Sequence, residues 1–394
     1  MAIRSIKDLD VKGKRVLCRV DFNVSVDKAT GAISDDTRIV AALPTIRDIL
    51  SRGGRLVLCS HFGRPDGKPN PKYSLKPVAE RLAKHLGKPV AFAADCVGEE
   101  ARKVVNALKD GEVCLLENLR YHAGEEENEE AFCKQLRELG DVYVNDAFGA
   151  AHRAHASVYG VAKMFKDRAP GFLLEKEINY LTKATKNPER PFVAILGGAK
   201  VSDKIAVIEN LLPKCDAMLI GGAMAYTFLK AMGMPTGKSL VEADKVDLAR
   251  TLLEQAKKLN KRLMLPVDHV VAAKIEANAP NQVVAQDKIP AEQMGLDVGP
   301  KTVEQYAAEI KKARMVVWNG PLGVFETEPF NKGTFAIAKA IAESGATAIV
   351  GGGESVSAVK KAKVSDKIAH ISTGGGASLE FLEGKELPGV AALS

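Results

Sequence analysis

The sequence predicts an α/β protein of two domains, each built on a mainly parallel sheet. Three observations carry that reading. The chain has 394 residues, 46% of them hydrophobic, more than one core ordinarily organises. Short runs rich in Val, Leu and Ile alternate with helical patterns along its length, which is the mark of βαβ units. The residues that follow those runs change character midway, from polar and cationic to glycine.

In the first half the runs and their sequels are RVLCRV, then Asp21, Phe22 and Asn23; RLVLCS, then His61, Phe62, Gly63 and Arg64; and EVCLLE, then Asn118, Leu119 and Arg120. A fourth, DVYVN, leads into DAFGAAHRAH, which contains Arg153. In the second half PFVAIL is followed by GGAK, DAMLI by GGAMA, RMVVW by NGPLG, TAIV by GGGES and HIS by TGGGAS. Open parallel sheets bind ligands at the carboxyl ends of their strands, so each half has its own ligand edge. Arginine and histidine grip a compact anion with side chains, whereas glycine lets backbone approach a phosphate or a base. A small anion in the first half and a nucleotide in the second is the resulting expectation.

The boundary lies at Ala169-Pro170-Gly171, followed by a stretch with Leu173, Leu174, Ile178 and Leu181 at near-helical spacing, and then Asn187-Pro188. This predicts a first domain over 1–170, a linking helix over 171–187 and a second domain over 188–377. The tail 378–394 has too weak a pattern to place by spacing.

Composition narrows the function. The chain is 27% charged with a net charge of +7, which suits either nucleic acid or small anions. Fourteen of eighteen arginines precede residue 188, and arginine's planar fork matches carboxylate and phosphate, so the first half is the better anion holder. Basic-aromatic interleaving is missing, which argues against nucleic acid. The charged N-terminus is no signal peptide and no apolar run is long enough to span a bilayer, so no membrane role and a cytoplasmic location are expected. Cys18, Cys59, Cys96, Cys114, Cys133 and Cys215 lack CxxC spacing and are expected to be reduced thiols.

Several motifs point away from alternatives. There is no GxGxxG, which weakens a dehydrogenase reading. The segment Gly233 to Ser239 falls one residue short of a phosphate loop and does not follow a strand run. His152 and His155 lack companion ligands and suit an anion better than a metal. The acidic run Glu125 to Glu130 is expected to open a helix as a solvated segment. Lys200 and Lys204, spaced i, i+4, are expected to share a face at a helix start and to meet phosphates.

At RVDFNV, SHFGRP, LENLRYH, AHRAHAS, GGAKVSDK, WNGPLGVFE and GGGES the sequence closely resembles the phosphoglycerate kinase family, in the family's order and over essentially the whole chain. The resemblance implies two Rossmann-like three-layer α/β/α domains joined by a hinge, with the tail packed on the first, in a cytosolic monomer. It implies reversible phosphoryl transfer between ATP and 3-phosphoglycerate, giving ADP and 1,3-bisphosphoglycerate, with Mg²⁺. Carried over by motif, the phosphoglycerate site comprises Asp21, Asn23, Arg38, His61, Phe62, Gly63, Arg64, Arg120 and Arg153. The nucleotide site comprises Lys200, Lys204, Gly221, Gly222, Gly295, Asn319, Pro321, Val324, Glu326, Gly352, Gly353, Glu354 and Ser355.

Catalysis is expected from Arg38, Lys200 and the amides around Gly375, on this resemblance, because the nucleophile is a carboxylate that needs no general base. The family usually carries Asp where Glu354 stands, as the carboxylate linked to magnesium. Magnesium tolerates distorted geometry poorly, so the added methylene bears on the metal arrangement.

Overall fold

A computed structural model describes residues 4–27 and 29–394, which fall into two compact units, the described residues up to 179 with 386–394 and residues 180–385. In the first, six strands pair in the order Ala91–Ala93, Val113–Leu116, Arg55–Cys59, Arg15–Arg19, Val142–Asn145, Arg168–Pro170, every pair parallel. The central runs are buried on both faces, as a sheet covered by helices requires. The covering helices are amphipathic: Lys76–Leu86 buries Val78, Ala79 and Leu82 and stops at the left-handed Gly87.

The second unit holds another six-stranded parallel sheet, ordered Arg262–Met264, Ala217–Ile220, Phe192–Leu196, Met315–Asn319, Thr347–Gly351, His370–Ile371. Beside it Asp268–Ala272 pairs antiparallel with Asn281–Ala285 and with Met294–Val298. This small sheet is additional to the parallel sheets expected from the sequence. Its strands show the alternation of one-faced sheets only weakly, with Asn281–Ala285 largely exposed.

The helix Phe172–Lys186 is divided between the units, so the bounds differ from those expected at its two ends. Its start is fastened within the first unit, where Phe172 N donates to Thr45 Oγ1 and Leu173 N to Asp146 Oδ1. Near its other end the Tyr180 ring stacks on His370, at 4.7 Å between centroids. The tail is divided too: Gly376–Leu382 is a helix of the second unit, whereas 386–394 belongs to the first, where Gly389 N donates to Ala151 O.

Asp297, in Met294–Val298, is buried and accepts from Gly333 N and Val298 N. Burial outweighs those donors and pushes its carboxyl up to about 8. A raised acid favours folding below its unfolded value near 3.8 and loses that contribution as pH rises through the folded value. His269 is pushed by burial down to about 4, so its contribution is lost as pH falls below its unfolded value. From about pH 6.5 to 8, urea unfolding followed by Trp318, the chain's one tryptophan, should therefore show stability falling by up to about 1.4 kcal/mol per pH unit. Asp297→Asn should flatten that slope; an unchanged slope would assign it elsewhere.

Candidate active site

Parallel strands place their sequels on one edge, and four neighbouring strands of the first sheet supply the predicted anion site. Asp21 and Asn23 follow Arg15–Arg19, His61 to Arg64 follow Arg55–Cys59, Arg120 follows Val113–Leu116 and Arg153 follows Val142–Asn145. Arg38 arrives from the first turn of the helix Thr37–Ser51 and ion-pairs with Asp21. Burial opposes ionisation of Asp21, but His61, Arg38 and Arg19 beside it prevail and hold its carboxyl below the usual range.

Side chains tie these loops together. Asn23 Oδ1 accepts from Gly63 N at 3.0 Å, and Arg120 Nη1 donates to Gly63 O at 2.8 Å. Asn118, fully buried, accepts from both Phe62 N and Arg120 N and donates to Phe62 O at 2.6 Å. Arg120 Nε lies 3.2 Å from Glu126 Oε1, and Arg153 Nε 3.3 Å from His152 Nε2. Arg64 is exposed and makes no side-chain hydrogen bond or ion pair among the described residues. Burial, with Arg120 and Arg153 beside it, pushes His155 down to about 4. The edge thus joins fixed guanidinium cations to neutral imidazoles.

One expectation near this edge needs correction. Glu125 is not solvated: it is fully buried and accepts from Ser157 N at 2.9 Å and Ser157 Oγ at 2.6 Å. Arg19 is likewise buried, with its Nε 2.9 Å from Ser157 Oγ. The sequence reading gave no role to Arg19, Asn118 or Ser157, although all three lie within the motifs it used.

In the second unit two adjoining cavities open at the glycine edge. One, of about 280 Å³, is mainly apolar and is lined by Gly222, Tyr226, Leu240, Ile275, Gly295, Pro321, Val324 and Glu326, among others. The other, of about 360 Å³, is lined by Lys200, Asp203, Lys204, Asn319, Gly352, Gly353, Glu354 and Ser355 with neighbouring glycines. Both share Gly198, Ala199 and Glu354. Lys204 donates to Asn319 Oδ1, and burial lowers its ammonium below the usual range. Gly320 N donates to Ser355 Oγ at 2.6 Å.

Lys200 and Lys204 do not share a helical face. The helix begins at Ile205, and 200–204 form a turn in which Lys204 N donates to Val201 O and Ser202 is held by Glu242. Gly221 lies behind the cavities against Leu322, and Gly375 caps Gly376–Leu382 outside both. The predicted near-miss loop instead supports a strand, with Ser239 Oγ accepting from Gly295 N. Tyr226, Leu240, Ile275 and Asp203 are lining residues the sequence reading missed.

Among the described residues one set of three His, Cys, Asp or Glu ligand atoms lies within 4.8 Å, at Asp95, Cys96 and His122 of the first unit, and Glu354 is outside it. Among the same residues no helix is long and apolar enough to cross a membrane.

Two parallel-sheet units, one edged with arginine and the other with glycine-lined cavities, define an α/β protein for compact anionic and nucleotide-sized ligands. The sequence profile described as phosphoglycerate kinase matches residues 6–385. Phosphoglycerate kinases of Koribacter versatilis (strain Ellin345) and Solibacter usitatus (strain Ellin6076) are each 60% identical over all of this chain and of their own length. The solved phosphoglycerate kinase of Coxiella burnetii is 43% identical, with a TM-score of 0.93 over 100% of this chain and 99% of its own. The chain belongs to the phosphoglycerate kinase family. Its activity is that of a phosphotransferase of glycolysis, with ATP and ADP as nucleotide substrates.

Gly222 has φ +66°, and a Cβ there would lie 2.5 Å from Gly198 O and 2.8 Å from Pro321 O. Gly222→Ala should displace the shared wall of both cavities and weaken ADP binding by about tenfold or more, read by calorimetry on protein whose circular dichroism is unchanged.

Proposed function

We propose that Arg38, Arg64, Arg120, Arg153 and His61 hold 3-phosphoglycerate while the two cavities of the second unit hold the nucleotide. The observation that carries this reading is the division of chemistry between the two edges. Guanidinium forks match a phosphate and a carboxylate. Asp21 and Asn23 supply acceptors suited to a substrate hydroxyl. The apolar cavity suits a base, Glu326 a ribose, and the cavity with Lys200 and Lys204 a phosphate chain. Gly221 acts from behind as packing for the turn.

The reaction is reversible transfer of the γ-phosphoryl group of ATP to the substrate carboxylate, giving ADP and 1,3-bisphosphoglycerate; run toward ATP it serves glycolysis, and in reverse gluconeogenesis. The attacking carboxylate is already ionised at neutral pH, so the protein's contribution is positioning and charge stabilisation. Arg38 on one side and Lys200 on the other face the charge that develops on the equatorial oxygens, with the amides near Gly375 alongside. Reacting atoms must come to about 3–3.5 Å, so hinge closure brings the two ligands together and excludes water. The chain acts as a cytoplasmic monomer in this reading, without a nucleic-acid or membrane partner.

The carboxylates of Glu354 and Asp203 line the phosphate cavity, and Mg²⁺ is ordinarily held by one or two carboxylates together with substrate phosphates, so this donor set fits it. When bound, Mg²⁺ neutralises phosphate charge.

A coupled assay for ADP formation from Mg-ATP and 3-phosphoglycerate tests the reading. Arg38→Ala and Lys200→Ala should each lower kcat by about 10²–10³-fold; near-native turnover in either would remove that residue's role. Glu354→Gln should raise the Mg²⁺ concentration for half-maximal rate by about tenfold, and an unchanged requirement would place the metal elsewhere.

A further inference from the structure

Arginine has only donors, so whatever it contacts on a histidine ring must accept. Arg19 Nη2 lies 3.1 Å from His61 Nδ1, which makes Nδ1 the acceptor and leaves the ring proton on Nε2. Protonating Nδ1 would set an N–H against a guanidinium N–H. His61 is therefore a neutral Nε2–H donor, and Nε2 has no hydrogen-bond partner among the described residues. Burial lowers the imidazole's affinity for a second proton, against Asp21 and with Arg19, Arg120 and Arg38.

What holds Arg19 in that position is itself buried. Arg19 Nε donates to Ser157 Oγ at 2.9 Å, and Ser157 Oγ donates to Glu125 Oε1 at 2.6 Å. Ser157 N adds a bond to Glu125 Oε2 at 2.9 Å, and Arg19 Nη1 donates to Val20 O. Glu125, Ser157 and Arg19 are each at most 1% exposed. The donors of Arg19 run to three partners, His61, Val20 O and Ser157, and the Ser157–Glu125 pair holds the Nε side.

We infer that Glu125, Ser157 and Arg19 are positioning residues that lock His61 in its Nε2–H tautomer, so that it donates to an anionic oxygen of 3-phosphoglycerate. This rests on the assignment of the phosphoglycerate site to His61 and its neighbours. A neutral donor adds directionality without another cation, while Arg38, Arg64, Arg120 and Arg153 supply the charge. The acidic run at 125–130 thus contains a carboxylate that acts through a serine and an arginine.

The test is a ¹⁵N imidazole correlation spectrum of the full chain, with the His61 resonances assigned by their loss in His61→Gln. The expected result at pH 7 is protonated Nε2 and unprotonated Nδ1. Arg19→Met removes the donor but is buried and endangers folding; Ser157→Ala removes one hydroxyl and keeps the test decisive. Either folded variant should show mixed His61 tautomers. In Ser157→Ala the KM for 3-phosphoglycerate should rise in inverse proportion to the remaining Nε2–H fraction, about twofold for an even mixture and about tenfold at one part in ten, with the KM for ATP unchanged. An imidazolium or an Nδ1–H form of His61 in the parent chain would overturn the inference, as would Ser157→Ala with parental tautomer and KM. The predicted tautomer in a chain that forms no ADP from 3-phosphoglycerate would overturn the substrate assignment instead.

Discussion

Parallel alignment of strands is the constraint on which both functional edges depend. In each six-stranded sheet every neighbour runs the same way, so each strand's exit loop reaches the same side. Chemistry distributed over more than a hundred residues of sequence then converges without any long loop to carry it. The first sheet's order brings the exits of Val113–Leu116, Arg55–Cys59, Arg15–Arg19 and Val142–Asn145 side by side. Asn118 and Asn23 then join neighbouring exits through backbone groups, which sets their spacing more firmly than flexible cationic side chains could.

Electrostatics follow from burial. Arg19 and Arg120 are almost wholly enclosed, and charge taken out of water demands partners. Arg19 has a serine, a carbonyl and an imidazole, while Arg120 has a carbonyl and the Glu126 carboxylate nearby. Buried ionic groups of this kind contribute orientation more than net stability. His61 and His155, enclosed among these cations, are held below the usual imidazole range by burial. The edge is therefore rich in permanent charge and poor in groups that change charge near neutrality.

Much of this was legible in the sequence because most residues of the arginine-rich edge follow an apolar strand run, Arg38 in its helix excepted. Asp21, His61, Arg120 and Arg153 could be found by punctuation alone. Arg19 could not, since it ends a strand run and a charged residue there reads as solvent-facing; only the tertiary pairing with Ser157, distant in sequence, shows it to be enclosed. Glu125 was concealed similarly inside an acidic run. At the cavities of the second unit the glycines were legible, but Tyr226, Leu240 and Ile275 were not, because apolar cavity walls have the same composition as core. The i, i+4 spacing of Lys200 and Lys204 suggested a helix there, whereas residues 201–204 form a turn and the helix starts at Ile205.

Backbone meets backbone where the glycine loops adjoin. A Cβ on Gly197 would lie 2.1 Å from Pro321 O, and one on Gly320 would lie 2.1 Å from Gly197 O. Neither obstacle is a side chain that could swing aside. A side chain at either glycine therefore requires the opposing backbone to move, which leaves the side chains that ring the cavities as the positions open to change. New ligand preferences in this scaffold would arise by altering the furnishings of the chamber while its masonry stays in place.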